Sequence, residues 1–322
     1  PAVHQRGVCG GHGLRRLPVS PQHVFNVVLS LGVQNDSEKA IANLGYYDAR
    51  FLRPVYPGDT LRSLTRVIDR RDRGVGKPGI ATIRTLGINQ RDEVVLQYQR
   101  MIMVPRATAG DLPEGVAAPA AFPWQDVPMV QLPALMEPTR KGLTDGALYA
   151  EDFVPGQVIL HFAGRTITDE HMAWSYGVGN THPLHSDQVY SQGLRGAMSG
   201  EPIVYGGLAF AWLEGLASRD VTANAIWDLG FHEGYHTQPV VSGDTLAAIT
   251  RVLAVEDAPG DTTASLVTLQ LIGVKNLSAE DALEQHGGDL FIKETAKKAL
   301  GKEKIPAKVF EIERQLLIRS RG

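Results

Sequence analysis

Two apolar stretches of helical length, residues 21–33 and 203–217, each stand ahead of shorter runs rich in β-branched side chains, where hydrophobic and polar positions alternate in places. Period-two alternation sends successive side chains to opposite faces of a strand. One buried helix followed by a meander of such strands predicts an antiparallel sheet wrapped around a central helix, an α+β arrangement. In the first half the strands are expected at 40–55, 60–69, 80–88 and 94–104.

The same order occurs twice because the chain contains itself twice. At an offset of 185, Ile41-x-x-Leu44-Gly45 lies over Ile226-x-x-Leu229-Gly230, and Pro54-Val55-x-x-Gly58-Asp59-Thr60-Leu61 lies over Pro239-Val240-x-x-Gly243-Asp244-Thr245-Leu246. The match continues through Thr65-Arg66-Val67 over Thr250-Arg251-Val252, giving 12 identities in the 27 positions from Ile41. Gly13-Leu14-Arg15 likewise resembles Gly193-Leu194-Arg195. Two copies of one domain are expected, since a solenoid needs many short repeats. The Gly-Asp element reads as a tight turn between two strands.

The predicted organisation is a first copy at 1–104, a connection at 105–148 and a second copy at 149–322. Seven prolines between 105 and 138 suit an extended, semi-rigid linker. The second copy begins with a segment, 149–180, that has no counterpart before Pro1, so some residues are expected upstream of the sequence given.

A length of 322 residues fits two domains of roughly 150 residues each. With 43% hydrophobic and 21% charged residues the chain can bury a sizeable core, which excludes disorder as the main theme. Thirty-two basic residues against 35 acidic ones, interspersed, leave no footprint for a nucleic acid or a membrane surface; a small-molecule partner is expected. The apolar stretch 203–213 stops at Glu214, short of the ~18 residues of a spanning helix. A single cysteine, Cys9, and no visible signal peptide favour a reducing, cytoplasmic location.

Specific residues then point to chemistry. The segments Glu151-Asp152-Phe153-x-x-Gly156-Gln157, Arg165-Thr166-Ile167-Thr168-Asp169-Glu170, His182-Pro183-Leu184-His185-x-Asp187 and Tyr205-Gly206-Gly207 resemble the MaoC-type hot-dog dehydratases, as does Val240-x-x-Gly243-Asp244-Thr245-Leu246. The first copy, with 40–46, Arg50-Phe51 and Pro54-Val55-Tyr56-Pro57-Gly58-Asp59-Thr60-Leu61, resembles more narrowly the two-hot-dog 2-methylfumaryl-CoA (mesaconyl-CoA) hydratases. The resemblance implies a double hot-dog: two antiparallel sheets, each around a central helix. It implies a hydro-lyase acting on a 2-enoyl thioester of coenzyme A. No metal or redox cofactor is implied, coenzyme A being part of the substrate. Hot-dog proteins commonly pair, so a homodimer or higher homo-oligomer is expected.

Water addition to a conjugated thioester needs a base for the water, an acid for C2 and donors for the enolate oxygen. The family pattern Asp-x-Asn-Pro-(aliphatic)-His places an Asp and a His about a water. Carried onto this sequence, His185 matches the His and Pro183 the Pro, while His182 stands for the Asn and Asn180 for the Asp. An amide accepts no proton, so Asn180 is expected to orient the water and His185 to be the main acid-base group. Asp187, Glu201 or the substrate's own carboxylate could carry the second proton. A helix N-cap is the competing reading for Asp187. Tyr205, Gly206 and Gly207 open the central helix, where free amides suit an oxyanion hole; close packing is the alternative for the glycines. Ser20-Pro21 in the first copy lacks that amide donor, which leaves the first copy to shape a substrate tunnel. His4, aligned with His185, therefore reads as a surface or packing residue. Arg50, Arg53 and Arg195 are candidates for the coenzyme's phosphates, as is Arg15, with solvated surface charge as the alternative.

His232-Glu233-Gly234-Tyr235-His236 spells the zinc-protease motif H-E-x-x-H. The repeat places it over 47–51 in a strand-like run, where i and i+4 lie ~13 Å apart at ~3.3 Å per residue, too far for one ion. No metal site is expected. Thioester hydrolysis and non-catalytic acyl-CoA binding remain as rival functions of one fold. Residues 278–306 interrupt the strand series and read as a surface excursion, a lid or a dimer contact.

Overall fold

The computed structural model describes residues 17–106, 148–196, 198–258 and 261–321. His4, Arg15 and Cys9, and nearly all of the connection 105–148, lie outside them. The first copy comprises helix α1 (Pro21–Asp36) and strands β1 (Ala42–Phe51), β2 (Leu61–Arg71), β3 (Gly79–Asn89) and β4 (Val94–Val104). The second opens with β5 (Val158–Thr166), α2 (Asp169–Gly177) and α3 (Gln188–Gly193). Helix α4 (Gly206–Val221) follows, then β6 (Ala225–His236), β7 (Thr245–Ala258), β8 (Asp261–Lys275), α5 (Ala279–His286), α6 (Glu294–Lys297) and β9 (Lys308–Arg319).

Proline at the first position of α1 supplies the helical φ and gives up an amide that has no intrahelical partner. Strand β1 ends earlier than the expected 55, ahead of Pro54, which lacks the donor a ladder needs. The repeated Gly-Asp turn has one geometry in both copies. Gly58 (φ 95°) and Gly243 (φ 92°) take the left-handed region, and Asp59 and Asp244 accept from the amides of Tyr56 and Val241 at 2.9 and 3.0 Å.

The nine strands of the described residues form one antiparallel sheet in the order β2-β3-β4-β1-β6-β9-β8-β7-β5. The two hot-dog sheets are thus continuous through β1 and β6. Their register obeys the repeat: Tyr46 faces Gly234 and Ala49 faces Phe231, and the offset of 185 exchanges the two pairs. The junction is a pseudo-two-fold axis, and an aromatic core sits on it. Phe25 and its repeat partner Phe210 lie 6.0 Å apart by ring centroids, Tyr46 and its partner Phe231 6.3 Å, with Phe25 to Phe231 at 5.4 Å. Edge-to-face packing of such rings adds roughly 0.5–1.5 kcal/mol per pair beyond area burial. One core therefore serves both copies.

Alternation along β7 divides the second copy into two layers. Leu246 and Ala248 pack toward α4, while Ala247 and Ile249 pack on the opposite face against Ala279, Ala282, Leu290, Phe291 and Ile305. The excursion 278–306 therefore covers the outer sheet face. Lys308 holds it, its Nζ donating to the carbonyls of Leu290 and Ile292 at 2.7 and 2.9 Å and pairing with Glu311 at 2.6 Å. Among the described residues no helix is long and apolar enough to cross a membrane.

Candidate active site

Residues 178–187 leave α2 in a tight turn that presents two imidazoles. Asn180 Oδ1 accepts the His182 amide at 2.9 Å, and Asn180 N–H donates to Ser175 O at 2.9 Å. His182 is then held at both ring nitrogens: a carbonyl only accepts, so Nε2–H donates to Ala40 O (2.9 Å), and Nδ1 accepts from Leu184 N–H (3.1 Å). With neither nitrogen free, His182 is a structural group, and burial lowers its pKa.

His185 is different. Its Nδ1–H donates to Ile203 O at 3.0 Å, which fixes the tautomer and leaves the Nε2 lone pair without a bond to any described residue. Burial, aided by the neighbouring His182, pushes its pKa down to about 4, so it is a neutral imidazole at pH 7. The ring lies 5.3 Å from that of Tyr205, whose hydroxyl accepts from Ser30 Oγ at 3.2 Å.

These groups line a cavity of about 210 Å³ between the two copies. Leu29, Asn43, Tyr46 and Arg100 face it from the first copy; His185, Tyr205, Gly206 and His236 from the second. Gly206 opens α4 with no acidic residue in its first turn and no side-chain cap, so the positive end of the helix meets the cavity. His236 stands beside it: a Cβ at Gly206 would lie 2.5 Å from His236 Nε2, so any larger residue displaces that imidazole. Tyr46 Oη lies 3.2 Å from the same Nε2. Burial, then the nearby His185, brings the His236 pKa down to about 4, and burial raises that of Tyr46.

Several expected residues stand elsewhere. Asn180 forms the turn behind the cavity wall, its Nδ2 buried and unbonded among the described residues, and does not reach the cavity. Asp187 is exposed and caps α3, accepting the Tyr190 amide at 2.9 Å. Glu201 is exposed and off the cavity. Gly207 faces α1 rather than the cavity: a Cβ there would lie 2.3 Å from Asn26 Oδ1, whose amide nitrogen donates to Gly207 O at 3.0 Å. Close helix packing is thus its demand. Arg50 bonds the adjacent Ala49 carbonyl at 2.8 Å, Arg53 and Arg195 are exposed, and none of the three lines the cavity. The excursion 278–306 contributes nothing to the cavity wall and is not a lid on it.

Tyr46, Arg100 and His236 join the cavity without a sequence motif that marks them. His236 was hidden inside the H-E-x-x-H decoy, which does lie on a strand. Among the described residues, no cluster of three or more His, Cys, Asp or Glu can hold a metal. The signal for His236 was the repeat itself, which sets Phe51 where the second copy has His236.

The family model described as mesaconyl-CoA hydratase matches residues 1–279. The chain is 33% identical over 281 residues to a β-methylmalyl-CoA dehydratase of Chloroflexus aurantiacus, covering 84% of this chain and 76% of that one. It is 31% identical to a mesaconyl-CoA hydratase of Cereibacter sphaeroides, covering 82% and 76%. Among solved structures, a MaoC-domain dehydratase of Chloroflexus aurantiacus superposes with a TM-score of 0.78 at 30% identity, over 98% of this chain and 86% of that one. A double hot-dog protein of Mycobacterium tuberculosis, at a TM-score of 0.67 and 20% identity over 98% and 86%, shares the fold.

Proposed function

The chain belongs to the mesaconyl-CoA hydratase family, and from that membership we propose that it reversibly adds water to the double bond of mesaconyl-CoA, giving β-methylmalyl-CoA. The observation that carries the chemistry is His185, its tautomer fixed by Ile203 O and its Nε2 free, lining one cavity with an uncapped helix start at Gly206.

The steps follow from those positions. Water adds through oxygen to C3 as its proton passes to His185 Nε2. The C2–C3 π pair moves into the thioester, and the enolate oxygen accepts from the Gly206 N–H at the positive end of α4. The imidazolium then returns the proton to C2, so one side chain serves as base and acid in turn. His236, fixed against Tyr46, holds the same water, the part that the family pattern gives to an Asp. Water addition changes no oxidation state overall, so no redox cofactor enters, and coenzyme A serves as the handle of the substrate.

Mixing the protein with mesaconyl-CoA tests the reading. Loss of the conjugated-enoyl absorbance without release of free thiol is expected; thiol release would show hydrolysis instead. His185→Gln should abolish hydration while the fold persists, and turnover retained in that variant would remove His185 from the mechanism.

A further inference from the structure

Among the described residues, Arg100 is the only Lys, Arg, Asp or Glu that lines the cavity. It is 2% exposed. Its Nη2 pairs with Asp36 at 2.6 Å and donates to Ser37 Oγ at 2.9 Å. A buried guanidinium beside a catalytic cavity is costly unless something answers its charge.

The repeat supplies an internal control. In the sheet Arg100 faces Tyr46, and Arg314 faces Phe231, the repeat partner of Tyr46. Arg100 and Arg314 are therefore equivalent buried arginines. Arg314 holds two carboxylates, Asp228 at 2.6 Å and Glu214 at 3.3 Å. At the offset of 185 these two positions correspond to Asn43 and Leu29 in the first copy. The equivalence is structural as well: Asp228 Oδ1 accepts the Gly230 amide at 3.1 Å, and Asn43 Oδ1 accepts the Gly45 amide at 3.2 Å. The remaining atom is a carboxylate oxygen on Asp228, bonded to Arg314, and an amide nitrogen on Asn43, which cannot accept from an arginine. Leu29 and Asn43 both line the cavity. Where the second copy gives its arginine two acids, the first gives Arg100 Asp36 alone, with neutral Leu29 and Asn43 on the cavity side.

We infer that Arg100 is the receptor for a free carboxylate on the acyl group, standing where Asp228 and Glu214 stand for Arg314, and that it selects dicarboxylic over monocarboxylic acyl thioesters. This rests on the acyl-CoA reading above and deepens it. Arg314 shows that this fold accommodates two carboxylates on one such guanidinium, so Asp36 and a substrate carboxylate share Arg100 in the same stoichiometry. The charge is supplied by the copy that has proline at the start of its helix and Phe51 in place of an imidazole, so each half contributes what the other lacks.

Succinyl-CoA and butyryl-CoA test it, because both are saturated four-carbon acyl thioesters that cannot be hydrated and differ in the terminal carboxylate. In titration calorimetry the unaltered chain should prefer succinyl-CoA, and Arg100→Met should shrink the ratio of the two affinities on the order of 10²-fold, the usual effect of truncating one partner of a buried charge pair. Should Arg100→Met melt early with Asp36 left unpaired, Arg100→Met combined with Asp36→Asn removes the pair together. Asn43→Asp keeps both ions and recreates the acid of the other copy; it too should lower the preference. Equal affinity of the unaltered chain for the two ligands, or a succinyl-CoA preference that survives loss of Arg100, overturns the inference. Failure to hydrate mesaconyl-CoA together with a kept, Arg100-dependent preference would instead overturn the proposed reaction and leave the carboxylate receptor standing.

Discussion

Acidification tests the buried imidazoles directly. His185 and His236 each fall from 6.5 to about 4 on burial. Below 6.5 the unfolded chain takes up protons that the folded one refuses, so the unfolded state gains and stability drops as pH falls from 6.5 toward 4. Above 6.5 both states are neutral at these sites and the term vanishes. A shift from 6.5 to about 4 corresponds to about 3 kcal/mol per histidine at its limit, and to about 2 kcal/mol between pH 7 and pH 4.5. Urea unfolding of the unaltered chain and of His236→Gln, measured across that range, isolates one of them. Carboxylates titrate in both proteins and cancel in the difference. The stability advantage of the unaltered chain over His236→Gln should shrink by about 2 kcal/mol from pH 7 to pH 4.5. Parallel curves would mean that His236 titrates normally and is not buried in the cavity wall. The same depression keeps His185 in its basic form, so the acid limb of kcat/KM should fall near pH 4 rather than near 6.5.

Substitutions at the start of α4 separate two roles. Gly206→Ala drives a methyl against His236, whose ring packs on Phe310 at 4.8 Å; hydration should fall about 10²-fold, with a small change in melting temperature. Gly207→Ala should do the opposite, prying α4 from Asn26 of α1 and costing about 1–3 kcal/mol in urea unfolding. Asp187→Ala removes an N-cap worth about 1 kcal/mol and should leave kcat in place; loss of turnover in a stably folded Asp187→Ala would return this carboxylate to the mechanism.

Strands β2 to β4 were legible to within two residues because their alternation is local and strand packing rewards it at every second position. So was the place of His185 in a turn fixed by Pro183 and of Gly206 at a helix start. What the sequence concealed was partnership across the duplication. Asn180 has a one-dimensional neighbour relation to His185, yet its Oδ1 is spent on the turn that carries His182. Arg100 reads as an ordinary polar strand position until its sheet register is known, and only the register shows that Arg314 is its counterpart. His236 lies 51 residues beyond His185 in sequence, and the sheet and α4 together bring it to the same cavity.

A duplicated fold with a pseudo-two-fold axis could hold two equal sites, and the asymmetry has a physical basis in single positions. Pro21 takes away the helix amide that Gly206 offers, and Phe51 takes the place of His236. Asp228 and Glu214 both pair with Arg314, whereas its equivalent Arg100 has Asp36 alone and faces the cavity. Each change alone disables one function of the first copy's pocket or the second's cation, and together they make the halves complementary. The rings of Phe25, Phe210, Tyr46 and Phe231 lock that complementarity in place, because Tyr46 belongs both to the shared core and, through its hydroxyl, to His236. A change that loosens the junction between β1 and β6 must therefore displace the acid-base side and the carboxylate side of the cavity relative to each other, which ties the chemistry to the integrity of the duplication itself.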